Sequence, residues 1–217
     1  MIIADLHVHS YNSKDSLLKP RDIITTAVKK GINCVAVTDH NTVKGGLELV
    51  REARELKDFI AIPGVEVKTD VGDVILLFVD EEIKIERFDE LLDYAKSVNA
   101  ITILAHPYRK HVMVEESARK VQVIEVLNSR SFKSANLKAL SLASKLNKPI
   151  MAGSDAHTAS EIGRAVTIIE GSSEDDIRGR LLKGEVRIFG SESNPLVHLL
   201  SFANRIINEV IEVFGGS

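Results

Sequence analysis

Short apolar runs alternate along the chain with longer stretches in which apolar positions recur every three or four residues. The first kind of pattern reads as buried strand and the second as amphipathic helix. Strands are predicted at residues 1–4, 33–38, 59–67, 73–79, 101–105, 121–127, 149–152, 165–170 and 186–189. Between them, Pro20 opens a helix whose stripe is Ile23, Ile24, Ala27 and Val28, with Gly31 as its stop. A second helix, 45–56, turns Leu47, Val50 and Ala53 inward. Further helices are predicted at 86–98 and 134–146. Another opens at Ser172-Ser173-Glu174-Asp175, an N-cap followed by acidic first-turn residues, and runs to Leu182. The last, 195–214, is long and very apolar, with Leu196, Leu199, Leu200, Ile206, Ile207, Val210 and Ile211. Strand-then-helix alternation predicts an α/β fold with a parallel sheet covered by helices. About seven such units closing on themselves make a distorted seven-stranded (β/α)7 TIM-like barrel. An open doubly wound sheet has the same periodicity.

The polar residues favour the barrel, because they collect at strand ends. The first strand runs into His7 and His9, which point to one face because residues i and i+2 do so in a strand. Asp39-His40 ends the second strand, Glu66 the third, His106 the fifth. Asp155 and His157 follow the seventh, and Asp15 lies in the first loop. Five of the seven histidines fall in this set; His111 and His198 are placed on a loop and a helix face. In α/β barrels such residues meet at the C-terminal mouth. Imidazoles and carboxylates without thiolate suit Zn, Mn or Fe. The donors are too many for one tetrahedral ion and suit two or three, with Glu66 bridging. Paired ions about 3.5–4 Å apart promote in-line displacement at phosphorus.

Asp5-Leu6-His7-Val8-His9-Ser10, Thr38-Asp39-His40, Gly64-Val65-Glu66, Ala105-His106-Pro107 and Gly153-Ser154-Asp155-Ala156-His157 resemble, in order and spacing, the motifs of the PHP (polymerase and histidinol phosphatase) domain family. The resemblance runs from residue 1 to about residue 190. It implies a seven-stranded distorted barrel, up to three ions at its mouth and phosphoesterase chemistry. It also implies the ligand sets. His7, His9, Glu66 and Asp155 would hold one ion. Glu66 and His106 would hold a second, and Asp15, His40 and His157 a third. Asp5 and Asp39 would orient the histidines beside them. Many relatives carry a further histidine in the strand after Glu66; this chain has none there, which leaves that place to Asp73 or a water. Glu66 and the ions would generate a bridging hydroxide, and Asp15 is the expected leaving-group acid. Asn128, Arg130, Arg109 and Arg164 are the expected substrate contacts, since Asn128 ends a strand and guanidinium grips phosphate in bidentate fashion.

Composition narrows the class. The 217 residues are 44% hydrophobic and 27% charged, as expected of one soluble domain spanning 1–217, with 195–214 packed on the barrel or at a homodimer interface. A net charge of −3 argues against a nucleic-acid-binding protein of strongly basic character. The single cysteine, Cys34, sits in an apolar run and forms no internal disulfide, so a cytoplasmic setting is expected. No apolar stretch is long enough for a membrane span, and no leader pattern opens the chain. The expected partner is a small phosphomonoester: a sugar, amino-alcohol or nucleotide phosphate. A nuclease acting on nucleic-acid ends is the alternative within hydrolases, and a non-catalytic RNA-binding barrel is the alternative outside them.

Overall fold

The computed structural model describes residues 1–194 and 196–214, without the side chains of residues 198 and 209–214. In chain order the elements are β1 (Ile2–Val8), α1 (Pro20–Lys29), β2 (Cys34–Val37), α2 (Lys44–Ala53), β3 (Ile60–Lys68), β4 (Asp73–Leu77), α3 (Phe88–Ser97) and β5 (Ile101–Leu104). They continue with α4 (Val114–Lys120), β6 (Val123–Asn128), α5 (Lys133–Leu146), β7 (Ile150–Gly153), β8 (Ala165–Ile169), α6 (Glu174–Lys183), β9 (Val186–Gly190) and α7 (Val197–Phe214). α4 has no expected counterpart: its sequence, VEESARK, carries no apolar stripe. The first residue of the expected terminal helix, Pro195, and the side chains of His198, Val210 and Ile211 lie outside the described residues.

The sheet has nine strands in the order β7-β6-β5-β4-β3-β2-β1-β8-β9, where seven parallel strands are expected. β4 pairs antiparallel with both β3 and β5, and β8 with both β1 and β9. The cause at β4 is length. Only residues 69–72 join it to β3, too few for a crossover helix, so the pair is a hairpin. The sheet nearly closes on itself at the mouth. Asp155 N–H donates to His7 O at 2.7 Å and His9 N–H to Ala156 O at 2.9 Å. The Thr167 hydroxyl bridges β8 to β7 by bonding both Ala152 N–H and Ala152 O at 2.9 Å.

The barrel interior is apolar and takes side chains from β1 through β8, including Leu6, Ile62, Ile75, Ile103, Val123 and Met151, with Ile177 and Leu181 of α6 joining them. On the same inward faces, at the period of two, stand Glu66 beyond Ile62, Asp73 before Ile75, Glu125 beyond Val123 and Asp155 beyond Met151. The apolar interior thus gives way to carboxylates towards the mouth. α2 buries Gly46, Leu49 and Ala53, with Leu49 in place of the expected Val50, because Gly46 lies close against Pro63 and Gly64. In α6 the expected cap is present: Ser173 Oγ accepts from Asp176 N–H in a capping box. α7 crosses the mouth. Arg130 donates to Val197 O at 3.1 Å and Ser201 Oγ at 2.6 Å, and Asn208 donates to Lys14 O at 2.9 Å. Its Leu196, Leu199, Leu200, Ile206 and Ile207 remain exposed. No helix among the described residues is long and apolar enough to cross a membrane.

Candidate metal centre

A bulge in β1 aims the first two histidines. Ala4 and Asp5 pair with Cys34 and Val35, but Val8 pairs with Val37, so three steps on β1 oppose two on β2. The alternation changes phase there. Leu6 packs in the barrel interior, Val8 packs with the helices, and His7 and His9 meet at the mouth. Their Nε2 atoms are 3.2 Å apart. His7 Nε2 lies 3.6 Å from Glu66 Oε1 and 3.7 Å from Asp155 Oδ1. His9 Nε2 lies 3.4 Å from Glu66 Oε2 and 3.3 Å from Asp155 Oδ1. Four donors each bonded at 2.0–2.1 Å to one tetrahedral ion would stand about 3.4 Å apart, close to these spacings.

Hydrogen bonds behind the rings set which nitrogen faces inward. His7 Nδ1 bonds Glu125 Oε1 at 2.9 Å. His9 Nδ1 bonds Ser13 Oγ at 3.1 Å, and that hydroxyl donates to Asp39 Oδ1 at 2.7 Å. His157 Nδ1 bonds Asp155 O at 2.8 Å. Each network keeps a proton on Nδ1, so that the neutral ring turns its Nε2 lone pair to a cation. On one side of this quartet, Asp15 Oδ2 stands 3.2 Å from His157 Nε2 and 3.6 Å from His40 Nε2. On the other, Glu66 Oε1 is 2.8 Å from His106 Nε2. His106 and Asp155 hold φ of 29° and 55°, a strained backbone for residues with side chains, and such strain gathers at functional sites.

The charges are tightly matched. Burial pushes the His9 imidazole down to about 3, and the neighbouring His157 and His40 add to this, so it is neutral. Burial works against charge on His7 too, but Glu125, Asp155 and Glu66 hold it well above the usual imidazole value. Glu66 and Asp15 do the same for His40. Glu66 and Asp155 are fully buried, yet His7 and His40 hold the first, and Arg109 and His7 the second, well below the carboxylate range. Glu66 Oε2, Asp155 Oδ1 and His157 Nε2 are buried without a hydrogen bond, although each lies within 3.4 Å of another donor. Buried polar atoms are rarely left so. An excess of lone pairs around one space is what divalent cations satisfy, and the residues fit them.

The centre opens on a cavity of about 360 Å³, whose walls include Asp15, His40, Asp73 and Asp155 together with Arg109, Lys110, Arg130 and, from α7, Phe202 and Arg205. Arg109 Nη2 is 2.7 Å from Asp155 Oδ2.

A family model described as PHP-associated matches residues 133–186. Two uncharacterized proteins of Methanocaldococcus jannaschii are similar to the chain. One is 37% identical over 174 residues, 74% of this chain and 68% of its own length. The other is 38% identical over 116 residues, 48% of this chain and 67% of its own. A solved structure from Bacteroides vulgatus, a two-domain protein containing a predicted PHP-like metal-dependent phosphoesterase, has the same fold. It superposes with a TM-score of 0.75 at 18% identity, covering 94% of this chain and 69% of that one. The chain belongs to the PHP family. All eight donors expected of the PHP family, His7, His9, Asp15, His40, Glu66, His106, Asp155 and His157, gather at one mouth in this member, with Asp15, His40, Asp155 and His157 lining the cavity and the other four buried beneath it.

Several polar residues stand elsewhere than expected. Asn128 is fully buried behind the PHP centre, donating to Glu125 Oε2 at 3.0 Å and Asp155 Oδ2 at 3.3 Å; it does not line the cavity and holds a carboxylate in place of a substrate. Arg164 is exposed and outside the cavity wall, because the backbone turns outward into the antiparallel β8. Arg130 lines the cavity, but its guanidinium faces Glu161 at 3.1 Å and bonds α7. Asp5 bonds Ser154 and Gly163 and touches no imidazole, and Asp39 reaches His9 only through Ser13. The orienting carboxylate missed in the sequence is Glu125. It bonds His7, Asn128 and the His106 N–H, the last at 2.8 Å. Its one signal was a glutamate inside an apolar run.

One consequence is measurable. His7 and His40 are held above the ordinary imidazole value, so both carry protons at neutral pH in the ion-free protein. Coordination needs the neutral ring, so cation uptake releases protons and affinity rises with pH until those rings are deprotonated. Titration calorimetry of ion-free protein at pH 6, 7 and 8, in buffers of different ionisation enthalpy, should show both effects. A pH-independent affinity without proton release would contradict this charge assignment.

Proposed function

We propose that this PHP protein hydrolyses a small phosphomonoester, such as a sugar, amino-alcohol or nucleotide phosphate, using two or three divalent ions of Zn, Mn or Fe. The observation that carries the reading is that two of the three donor sets share Glu66 and the centre opens on one cavity whose walls also carry Arg109, Lys110, Arg130 and Arg205. His7, His9, Glu66 and Asp155 would hold one ion, Glu66 and His106 a second, and Asp15, His40 and His157 a third. Bound ions supply Lewis acidity: a water nucleophile available near neutral pH and neutralisation of the phosphoryl charge. The chain does the rest. Arg109, braced on Asp155, presents its guanidinium to the phosphate oxygens, with Lys110 beside it. His157 and His40 keep Asp15 ionised against its burial, which suits it to hold a cation and not to protonate the leaving group. Arg130 anchors α7 over the mouth.

A second cavity, of about 640 Å³, shares Asp15, His40, Asp73, Lys110 and Arg205 with the first and continues past Lys14, Lys68, Asn12 and Asn41. Lys14 and Lys68 of this extension, set against one acid, Asp70, favour a second reading, a nuclease that takes a nucleic-acid end. The test is phosphate release by Mn-loaded protein from aryl, sugar and nucleotide phosphates, against cleavage of short oligonucleotides. Turnover of the monoesters that is lost on chelation and restored by Mn is the expected result. Faster cleavage of oligonucleotides selects the second reading, and no release from any substrate overturns both.

A further inference from the structure

Glu66 and His106 alone are a thin ligand set for an ion. On β4, no histidine faces the mouth. Ile75 occupies the inward position level with the apolar interior and is fully buried. Asp73 lies two residues earlier on the same inward face, one step nearer the mouth, because β4 runs antiparallel to its neighbours and begins there. Donor atoms of Glu66, Asp73 and His106 all lie within 4.8 Å of one another. Donors on opposite sides of one octahedral ion with bonds of about 2.1 Å would be about 4.2 Å apart, so a small side-chain adjustment closes the set. Asp73 also lines both cavities.

A second residue explains how Asp73 is held. His111 packs its ring against Gly72, where a Cβ would come within 2.1 Å of the ring; Gly72 has φ of +138°. The Asp73 N–H donates to His111 Nε2 at 2.9 Å. The His111 ring also stands edge-on to the His106 ring, with centroids 5.7 Å apart. One imidazole therefore braces both the Asp73 backbone and the His106 ligand ring.

We propose that Asp73 is a donor to the ion shared by Glu66 and His106, and that His111 is the positioning residue that sets it. The inference rests on the metal-centre reading above and deepens it. A carboxylate here in place of an imidazole adds charge and hardness, so this position prefers Mn(II) to Zn(II) more than a histidine-bearing site would.

The test reads ions, not turnover. Ion-free wild type, Asp73→Asn, Asp73→His, His111→Ala and His111→Gln are dialysed against fixed free Mn(II) or Zn(II), and bound metal is counted per chain. Asp73→Asn should retain one Mn(II) fewer than wild type. Asp73→His should regain the equivalent with Zn(II) and bind Mn(II) less well. His111→Ala should weaken that ion about 10–100-fold, while His111→Gln, which keeps an acceptor for the Asp73 N–H, restores most of it at an unchanged melting temperature of the ion-free protein. Full Mn(II) occupancy at wild-type affinity in Asp73→Asn overturns the inference and leaves the metal-centre reading standing. A wild type that binds no ion at all overturns both.

Discussion

Glu66→Gln should strip the centre of the ions that Glu66 shares and reduce phosphate release by on the order of 100–1000-fold. Glu66 is the one residue whose two oxygens face donors on all sides. Oε1 meets His7 and His106, and Oε2 meets His9 and His40, at separations from 2.8 to 3.6 Å. Every proposed ion set except that of Asp15, His40 and His157 includes it. Glutamine keeps the shape and loses the charge, so the amide leaves the cations without their shared counter-ion in a buried site, where such loss is costly. The measurement is metal content after gel filtration, with turnover on an aryl phosphate and circular dichroism to show that the variant is folded. Wild-type metal content in the folded variant would remove Glu66 from the centre.

The second large effect belongs to Glu125, which touches no expected substrate. Its carboxylate accepts from His7, the His106 N–H and Asn128, so it orients ligands of two ion sets at once. Glu125→Gln keeps one acceptor oxygen and introduces an NH2 group that cannot accept. We expect metal affinity to fall about 10–100-fold. Glu125→Ala should also lose about 1–3 kcal/mol of stability, because the His106 N–H and the His7 Nδ1–H are left buried without this acceptor. Calorimetric metal titration and thermal melting of both variants check this. Wild-type affinity in Glu125→Ala would show that the His7 ring is held by packing alone.

Period-two alternation and strand-end chemistry made much of the centre legible in the sequence. His7 and His9, Asp39-His40, Glu66, His106 and the Asp155–His157 turn each follow an apolar run, and parallel strands bring such ends to one mouth. The same rule failed at Asp73, since a reversed strand presents its beginning there and not its end. It was silent on Glu125, because a glutamate inside a strand looks the same whether it faces solvent or an imidazole. It misplaced Asn128 and Arg164, whose neighbours are set by partners distant in the chain.

By itself, then, the sequence determined every element but α4, because these follow from local periodicity, and the donor types, because few side chains can hold a cation; the polar strand ends, not the periodicity, favoured the barrel. Only the tertiary structure decided the direction of β4 and β8, the bulge that turns His7 and His9 inward, the carboxylate behind His7 and the helix across the mouth. Those depend on hydrogen bonds between residues far apart in the chain, such as the 118 positions that separate His7 from Glu125, and no local pattern encodes such a pairing.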